Sequence, residues 1–480
     1  MYFNSLEFFL FLPLVFAIYW LIPKKNVLEK NVVLLLASYV FYGWWDWRFL
    51  SLILFSSIVD YNLSQRLGKQ NDKKKRKFLL FVSITLNLGL LVFFKYCNFF
   101  IDSFAEAFSF FGQSMDPARL DIVLPVGISF YTFQTLSYTI DVYRKKLEPS
   151  RNIISFFAFV SFFPQLVAGP IERATNLLPQ FKKEKSFNYV ESVDGLRQIL
   201  WGFFKKIVIA DNCAQIANRI FDNYDSMPGS MLFVGAVMFA FQIYGDFSGY
   251  SDIAIGLSRM FGFNLKKNFA FPYFSRDIAE FWRRWHISLS TWFRDYLYIP
   301  LGGSKGGKLR QLRNTFIIFI VSGFWHGPNW TFVAWGGLNA LLFLPLLLRD
   351  KNRKNLDMVA QKKLFPSVGD MLRILSTFII VCFAWIFFRA ETIADAGIII
   401  SKIIDPSFFT LPSFEFTEFF SLFFLIIFIM IEWLNRHKNF ALELGDSPYP
   451  RWFNWSAYLA TLLVIVVFAG DLQEFIYFQF

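Results

Sequence analysis

NTFIIFIVSGFWHGPNWTFVAWGGLNALLFLPLLL, residues 314–348, is a run of 35 residues without a single Asp, Glu, Lys or Arg. As one α-helix rising 1.5 Å per residue it would be about 52 Å long. The hydrocarbon core of a bilayer is only about 30 Å thick, so the run has to bend or break. The breaker is Gly327-Pro328-Asn329, directly after His326. Proline lacks a backbone N–H and clashes with the preceding turn. Non-helical backbone at membrane depth is tolerated only where protein buries it or where it lines a water-filled cavity. The expectation is a broken helix pair over 314–348 with His326 at the break, facing an internal cavity.

The rest of the chain supports a membrane setting. Hydrophobic residues make up 55%, phenylalanine alone supplies 66, and the mean hydropathy is +0.42. A spanning helix needs roughly 20 mostly apolar residues. Uncharged windows near that length recur at 8–23, 78–94, 122–140, 152–171, 226–245, 374–388 and 452–470. Shorter ones at 31–45, 49–59 and 419–431 are extended by isolated charges. This pattern predicts an all-α, polytopic membrane protein with about 10–13 transmembrane helices plus interfacial or re-entrant helices. It is read as one membrane-embedded domain over 1–480. No basic region precedes Phe8 and no small-residue cleavage site follows Ile22, so the first span is expected to be retained rather than cleaved as a signal.

Lys and Arg number 48 against 36 Asp and Glu, a net charge of +12. The excess lies between the apolar windows, at 24–30, 66–77, 144–146, 182–185 and 349–363. Short basic loops mark the cytoplasmic side of a membrane protein, so the charge reads as orientation and not as nucleic-acid binding. The acidic stretch 101–121 fits the opposite face. Cys97, Cys213 and Cys382 are far apart, without a CxxC or a Cys/His cluster. Neither a metal site nor a disulfide framework is expected.

Residues 264–310 are too charged to span. On a helical wheel Trp282, Trp285, His286, Leu289, Phe293 and Tyr296 share one face, and Glu280, Arg283, Arg284, Arg294 and Asp295 the other. That is the pattern of an amphipathic helix in the membrane interface or re-entering the bundle. It ends at Pro300 and the glycines after it.

His326 is the first candidate for chemistry. Ionisable residues within membranes are costly and mark functional sites, and imidazole takes and returns a proton near neutral pH. The bland alternative is a core histidine bonded to carbonyls. His286 either snorkels to the headgroups or faces a cavity, and His437 reads as a loop residue. Asp246 and Asp252, in IYGDFSGYSDIAIG, serve as polar glue inside a bundle or orient a substrate or histidine. Glu172 and Arg173 suit a pair at a span end. GGSKGGKL (302–309) nearly forms a phosphate loop but has Leu309 where a hydroxyl belongs, and no strand precedes it. Lys305, Lys308 and Arg310 remain as a cytoplasmic basic patch for a phosphate-bearing donor.

Several stretches then become recognisable: FWRRWHISLSTWFRDYLYIPLGG (281–303), SGFWHGPNWTFVAWG (322–336), YGDFSGYSDIAIGLSRMFGF (244–263), LPVGISFYTFQTLSYTIDVYR (124–144), FFPQLVAGPIER (162–173) and the terminal FIYFQF. Over nearly the whole chain the sequence resembles the membrane-bound O-acyltransferase family, closest to its bacterial alginate O-acetyltransferase branch. The resemblance implies an O-acyltransferase with a funnel-shaped helical bundle in the bacterial cytoplasmic (inner) membrane. His326 matches the family's catalytic histidine and His286 its second motif position. The implied donor is a cytosolic acyl thioester such as acetyl-CoA, with no bound cofactor. The implied acceptor is a cell-surface polysaccharide such as alginate, reached with an extracytoplasmic hydrolase-like partner. D-alanyl transfer to teichoic acid from a carrier protein is the second reading. A proton-coupled secondary transporter with His326 as relay is the third, although the inverted repeats it calls for are not visible. Asn339 stands where similar proteins often carry a further histidine. Asn329, the Trp325 indole and backbone N–H groups at the break are candidate donors to an oxyanion.

Overall fold

The computed structural model describes residues 1–110, 112, 119–167, 169–361, 363–443, 450–469 and 475–476. Parts of the acidic stretch 101–121 and of the terminal FIYFQF lie outside the described residues. Those described form helices and connecting loops, with no strand among them. Among the described residues, five helices are long and apolar enough to cross a bilayer: Lys73–Ser109, Gly229–Met260, Trp330–Leu348, Val368–Arg389 and Phe416–Leu434. Shorter apolar helices cover Leu6–Leu21, Ile153–Leu166 and Arg451–Val467. The protein is an all-α, multi-pass membrane protein.

Two compact units are distinguished by their internal packing: Met1–Leu196 with Ala254–Lys266, and Arg197–Ile253 with Lys267–Phe480. In the first, the fully buried Asp60 accepts hydrogen bonds from Ser83 Oγ (2.5 Å), Thr139 Oγ1 (3.1 Å) and Asn87 Nδ2 (2.8 Å). Small hydroxyls and amides on facing helices thus satisfy a polar group where lipid offers no partner. Glu172 accepts from Asn176 Nδ2 at 2.7 Å and from the Lys266 N–H.

The second unit carries both motif histidines. Within 314–348 the chain folds as two helices, Lys308–His326 and Trp330–Leu348. Gly327 is extended, and Asn329 caps the second helix by accepting from the Thr331 N–H at 2.9 Å. The pair turns back on itself at very short range. A Cβ on Gly323 would lie 2.2 Å from the Phe332 carbonyl oxygen, and one on Gly336 would lie 2.4 Å from that of Phe319. Glycine at both positions lets the two backbones touch, the device by which membrane helices approach closely.

The segment 264–310 departs from the single helix of the wheel. It forms Ile278–Arg284 and Ile287–Phe293, then a wider turn at Arg294–Tyr298. No glycine or proline causes the break. His286 adopts the left-handed region, φ 43° and ψ 54°, costly for a residue with a Cβ. The cause is a competing partner. The loop at 268–270 takes the backbone groups the helix would have used. Ile287 N–H donates to Asn268 O (2.9 Å), and Ala270 N–H donates to Arg284 O (3.0 Å). Arg276, Arg283 and Arg284 are also occupied within the protein. Arg276 and Arg284 clamp the buried Glu280 at 3.0 and 2.7 Å. Arg283 donates to the carbonyls of Asn352 and Asn355, both at 2.7 Å.

Candidate active site

The two breaks meet at one cavity. Its volume is about 500 Å³, and His286 and His326 both line it. Both are buried, with 1% and 3% of their surface exposed. Five of the six residues on the aromatic wheel face border it: Trp282, Trp285, His286, Leu289 and Phe293. The break at His286 therefore keeps that face together while turning it inward.

Tryptophans lock the two histidine-bearing segments to each other. The Trp325 ring lies 6.2 Å from His286 and 5.0 Å from His326, centroid to centroid. His326 stands edge-on to Trp335 and Phe388, each at 5.2 Å. Trp335 in turn contacts Trp282 at 5.6 Å and stacks on Trp385 at 5.6 Å. Large rigid rings with few rotamers hold a site with little conformational freedom to lose. On the other side of His286, Phe247 packs at 4.6 Å.

Hydrogen bonding around His286 is one-sided. Its Nδ1 lies 3.1 Å from Asn268 Oδ1, while its buried Nε2 has no partner among the described residues. The same Asn268 oxygen accepts from Ser288 Oγ (2.9 Å) and from the Ser288 N–H (3.3 Å). Asn268 Nδ2 donates to Ser251 Oγ at 3.1 Å. His286 lies outside the membrane-spanning helices, and burial lowers its pKa to about 3. Its imidazole is neutral at pH 7, because desolvation penalises the charged form.

The remaining polar lining comes largely from one face of the Lys308–His326 helix: Gln311, Thr315 and Ser322, the last one turn before His326. Ser290 follows His286 by four residues on the other wall. At the exposed rim stand Arg294, Arg353, Tyr298 and Ser304, with Tyr298 and Ser304 hydroxyls 2.9 Å apart. Such a site holds two imidazoles, several hydroxyls and two guanidiniums around an apolar throat. It suits proton transfer to and from a hydroxyl beside an anion-binding mouth.

Other residues singled out from sequence lie elsewhere. Asp246 is paired with Lys206 at 2.9 Å and accepts from the Ile476 N–H at 2.7 Å. Asp252 is paired with Lys205 at 2.5 Å and accepts from Gln198 Nε2 at 2.7 Å. Both carboxylates act there as glue between the Gly229–Met260 helix and the wide turn Phe204–Ala210. Asn329 accepts from the Thr331 N–H through Oδ1 and donates from Nδ2 to the Glu391 carbonyl (2.8 Å). Lys305 and Arg310 are exposed on the glycine loop, and Lys308 pairs with Asp350 at 2.5 Å. That loop needs its glycines, since Gly302, Gly303, Gly306 and Gly307 all have positive φ. It reaches the cavity through Ser304.

Comparison with known proteins sets these features in context. A family model described as the membrane-bound O-acyltransferase family matches residues 144–391. A probable alginate O-acetylase AlgI of Azotobacter vinelandii is 38% identical over 455 residues, 93% of this chain and 87% of the relative. A Pseudomonas aeruginosa protein of the same description is 40% identical over 399 residues, 82% of this chain and 73% of the relative. The peptidoglycan O-acetyltransferase of Helicobacter pylori is 35% identical over 423 residues, 82% of this chain and 78% of that one.

Proposed function

Because the chain belongs to the membrane-bound O-acyltransferase family and is an acyltransferase, we propose that it moves acetyl groups from a cytosolic thioester donor across the bacterial inner membrane for O-acetylation of a cell-surface polysaccharide. Relatives named for acetylation of alginate and of peptidoglycan support the acyl group and the acceptor class. The observation that carries the reading is the shared cavity of His326 and His286.

The chemistry follows from the lining. An acceptor hydroxyl enters the throat beside His326, which takes its proton as the oxygen attacks the thioester carbonyl carbon. The new C–O bond forms, the C–S bond breaks, and the proton passes to the thiolate. General-base help of this kind contributes about 10²–10⁴-fold. His326 sits at the end of a helix in a rigid aromatic frame, which fixes its approach to the reacting oxygen. Arg294 and Arg353 at the rim face a phosphate-bearing donor such as acetyl-CoA, and Arg353 belongs to the basic 349–363 region assigned to the cytoplasm. Lys305, Lys308 and Arg310 extend the same basic surface. An extracytoplasmic hydrolase-like partner completes delivery to the glycan.

A deletion strain tests this. Alkaline release of esters from its surface polysaccharide is expected to yield acetate in the wild type and none in the deletion. Release of D-alanine instead, or unchanged acetate in the deletion, would overturn the reading.

A further inference from the structure

The environment of His286 decides which of its nitrogens carries a proton. Asn268 is fully buried, and its side-chain orientation is fixed by a donor that cannot change roles. The backbone N–H of Ser288 points at the atom that also faces His286 Nδ1. Were the amide turned over, an NH₂ group would face an N–H, donor against donor. The atom is therefore the carbonyl oxygen, which leaves Nδ2 to donate to Ser251 Oγ. A carbonyl oxygen only accepts. The ring nitrogen opposite it must donate, so the proton of the neutral imidazole is on Nδ1. The Nε2 atom then carries a lone pair, and it is the polar atom of a cavity-lining ring left without a partner among the described residues.

We propose that Asn268 is a positioning residue that holds His286 in its Nδ1–H form, so that Nε2, buried in the cavity wall, is left as a hydrogen-bond acceptor for a second hydroxyl of the acceptor, beside the one whose proton His326 takes. The proposal rests on the acyl-transfer reading for the identity of that hydroxyl, but the proton placement does not. A lone pair cannot hold a phosphate or the oxygen of a thioester carbonyl, because both are acceptors and need a hydrogen-bond donor. His286 thus orients the acceptor through a hydroxyl next to the attacking one, and the arginines at the rim serve the donor. The left-handed backbone of His286 fits this role. The same stretch that supplies the Asn268 oxygen also takes the Ile287 N–H through the Asn268 carbonyl. One residue therefore fixes both the backbone break and the ring.

The test uses the full chain in lipid bilayers, labelled with ¹⁵N and ¹³C on histidine alone. With three histidines, the signal of His286 is identified by its loss in His286→Ala. The expected result is a protonated nitrogen bonded to Cγ, which is Nδ1, at neutral pH. A protonated nitrogen bonded to Cδ2 would overturn the proposal even in a protein that transfers acyl groups normally. Asn268→Leu is then compared with wild type. Its His286 signal is expected to lose the single Nδ1–H form. Turnover should fall by at least about ten-fold, the low end for loss of an orienting partner, and acceptor KM should rise while donor KM stays unchanged. Preserved proton placement in Asn268→Leu, or a defect confined to donor KM, would refute it. If that variant fails to fold, the wild-type spectrum alone decides.

Discussion

Adding one methyl group at Gly323 should separate the broken helix pair and cost activity without expelling the protein from the membrane. The Cβ of Gly323→Ala would lie 2.2 Å from Phe332 O, 3.1 Å from Phe332 C and 3.2 Å from the Gly336 Cα. Ordinary contact begins at 3.4 Å, so the deficit is 3.4 − 2.2 = 1.2 Å. All three neighbours are backbone atoms, so no side chain can rotate aside and the helices must part by on the order of 1 Å. Overpacking of this kind costs about 1–3 kcal/mol, too little to unfold a large helical protein outright. Gly323 is three residues from His326, however, and a misplacement of about 1 Å at a reacting group costs about 10²-fold in rate. The assay is acyl transfer in liposomes at saturating donor, with equal reconstituted protein. Gly337→Ala is the control, since a Cβ there meets nothing within 4 Å. A Gly323→Ala enzyme with wild-type turnover would show that the close approach does not position His326.

Three further outcomes follow from the buried charges and the cavity. Lys205→Met leaves Asp252 inside without its cation and should lower stability by about 3–5 kcal/mol, read as melting in detergent, while Lys205→Met with Asp252→Leu should recover most of the loss. Arg294→Ala with Arg353→Ala should raise the KM of a phosphate-bearing donor roughly ten-fold or more with kcat unchanged, the signature of lost ground-state binding. His286 has its folded pKa lowered to about 3 from an unfolded value of about 6.5. The unfolded chain binds the extra proton between those values, so this stabilising contribution is present above pH about 6.5 and is lost as pH falls. His286→Gln should therefore show a smaller drop in Tm between pH 7.5 and 5 than the wild type.

The parts of this protein that sequence reveals are those governed by local rules. The break after His326 follows from length and from Gly327-Pro328, and the helices do end and restart there. The aromatic face at 282–293 was visible as a period and does border the cavity. The break at His286 was not visible, because its cause is a hydrogen-bonding partner about 18 residues away that no window can see. Lys205 and Lys206 could have been noticed as two adjacent charges inside the apolar run FFKKIVIA. Their partners Asp246 and Asp252 lie at least 40 residues later, and only the fold assigns them. Gln311, Thr315 and Ser322 share a helical face with His326. That signal was legible as polar residues at spacings of four and seven, but it is weaker than a histidine among apolar residues. Asn268 carried no sequence signal at all.

The most direct test of the central claim is turnover by His326→Ala in liposomes, with a thioester donor and a glycan acceptor at saturating concentrations. His326 should provide the base, so turnover is expected to fall by about 10²–10⁴-fold at every donor concentration, with the protein inserted and its melting profile retained. A His326→Ala protein that forms the ester at the wild-type rate would contradict the account.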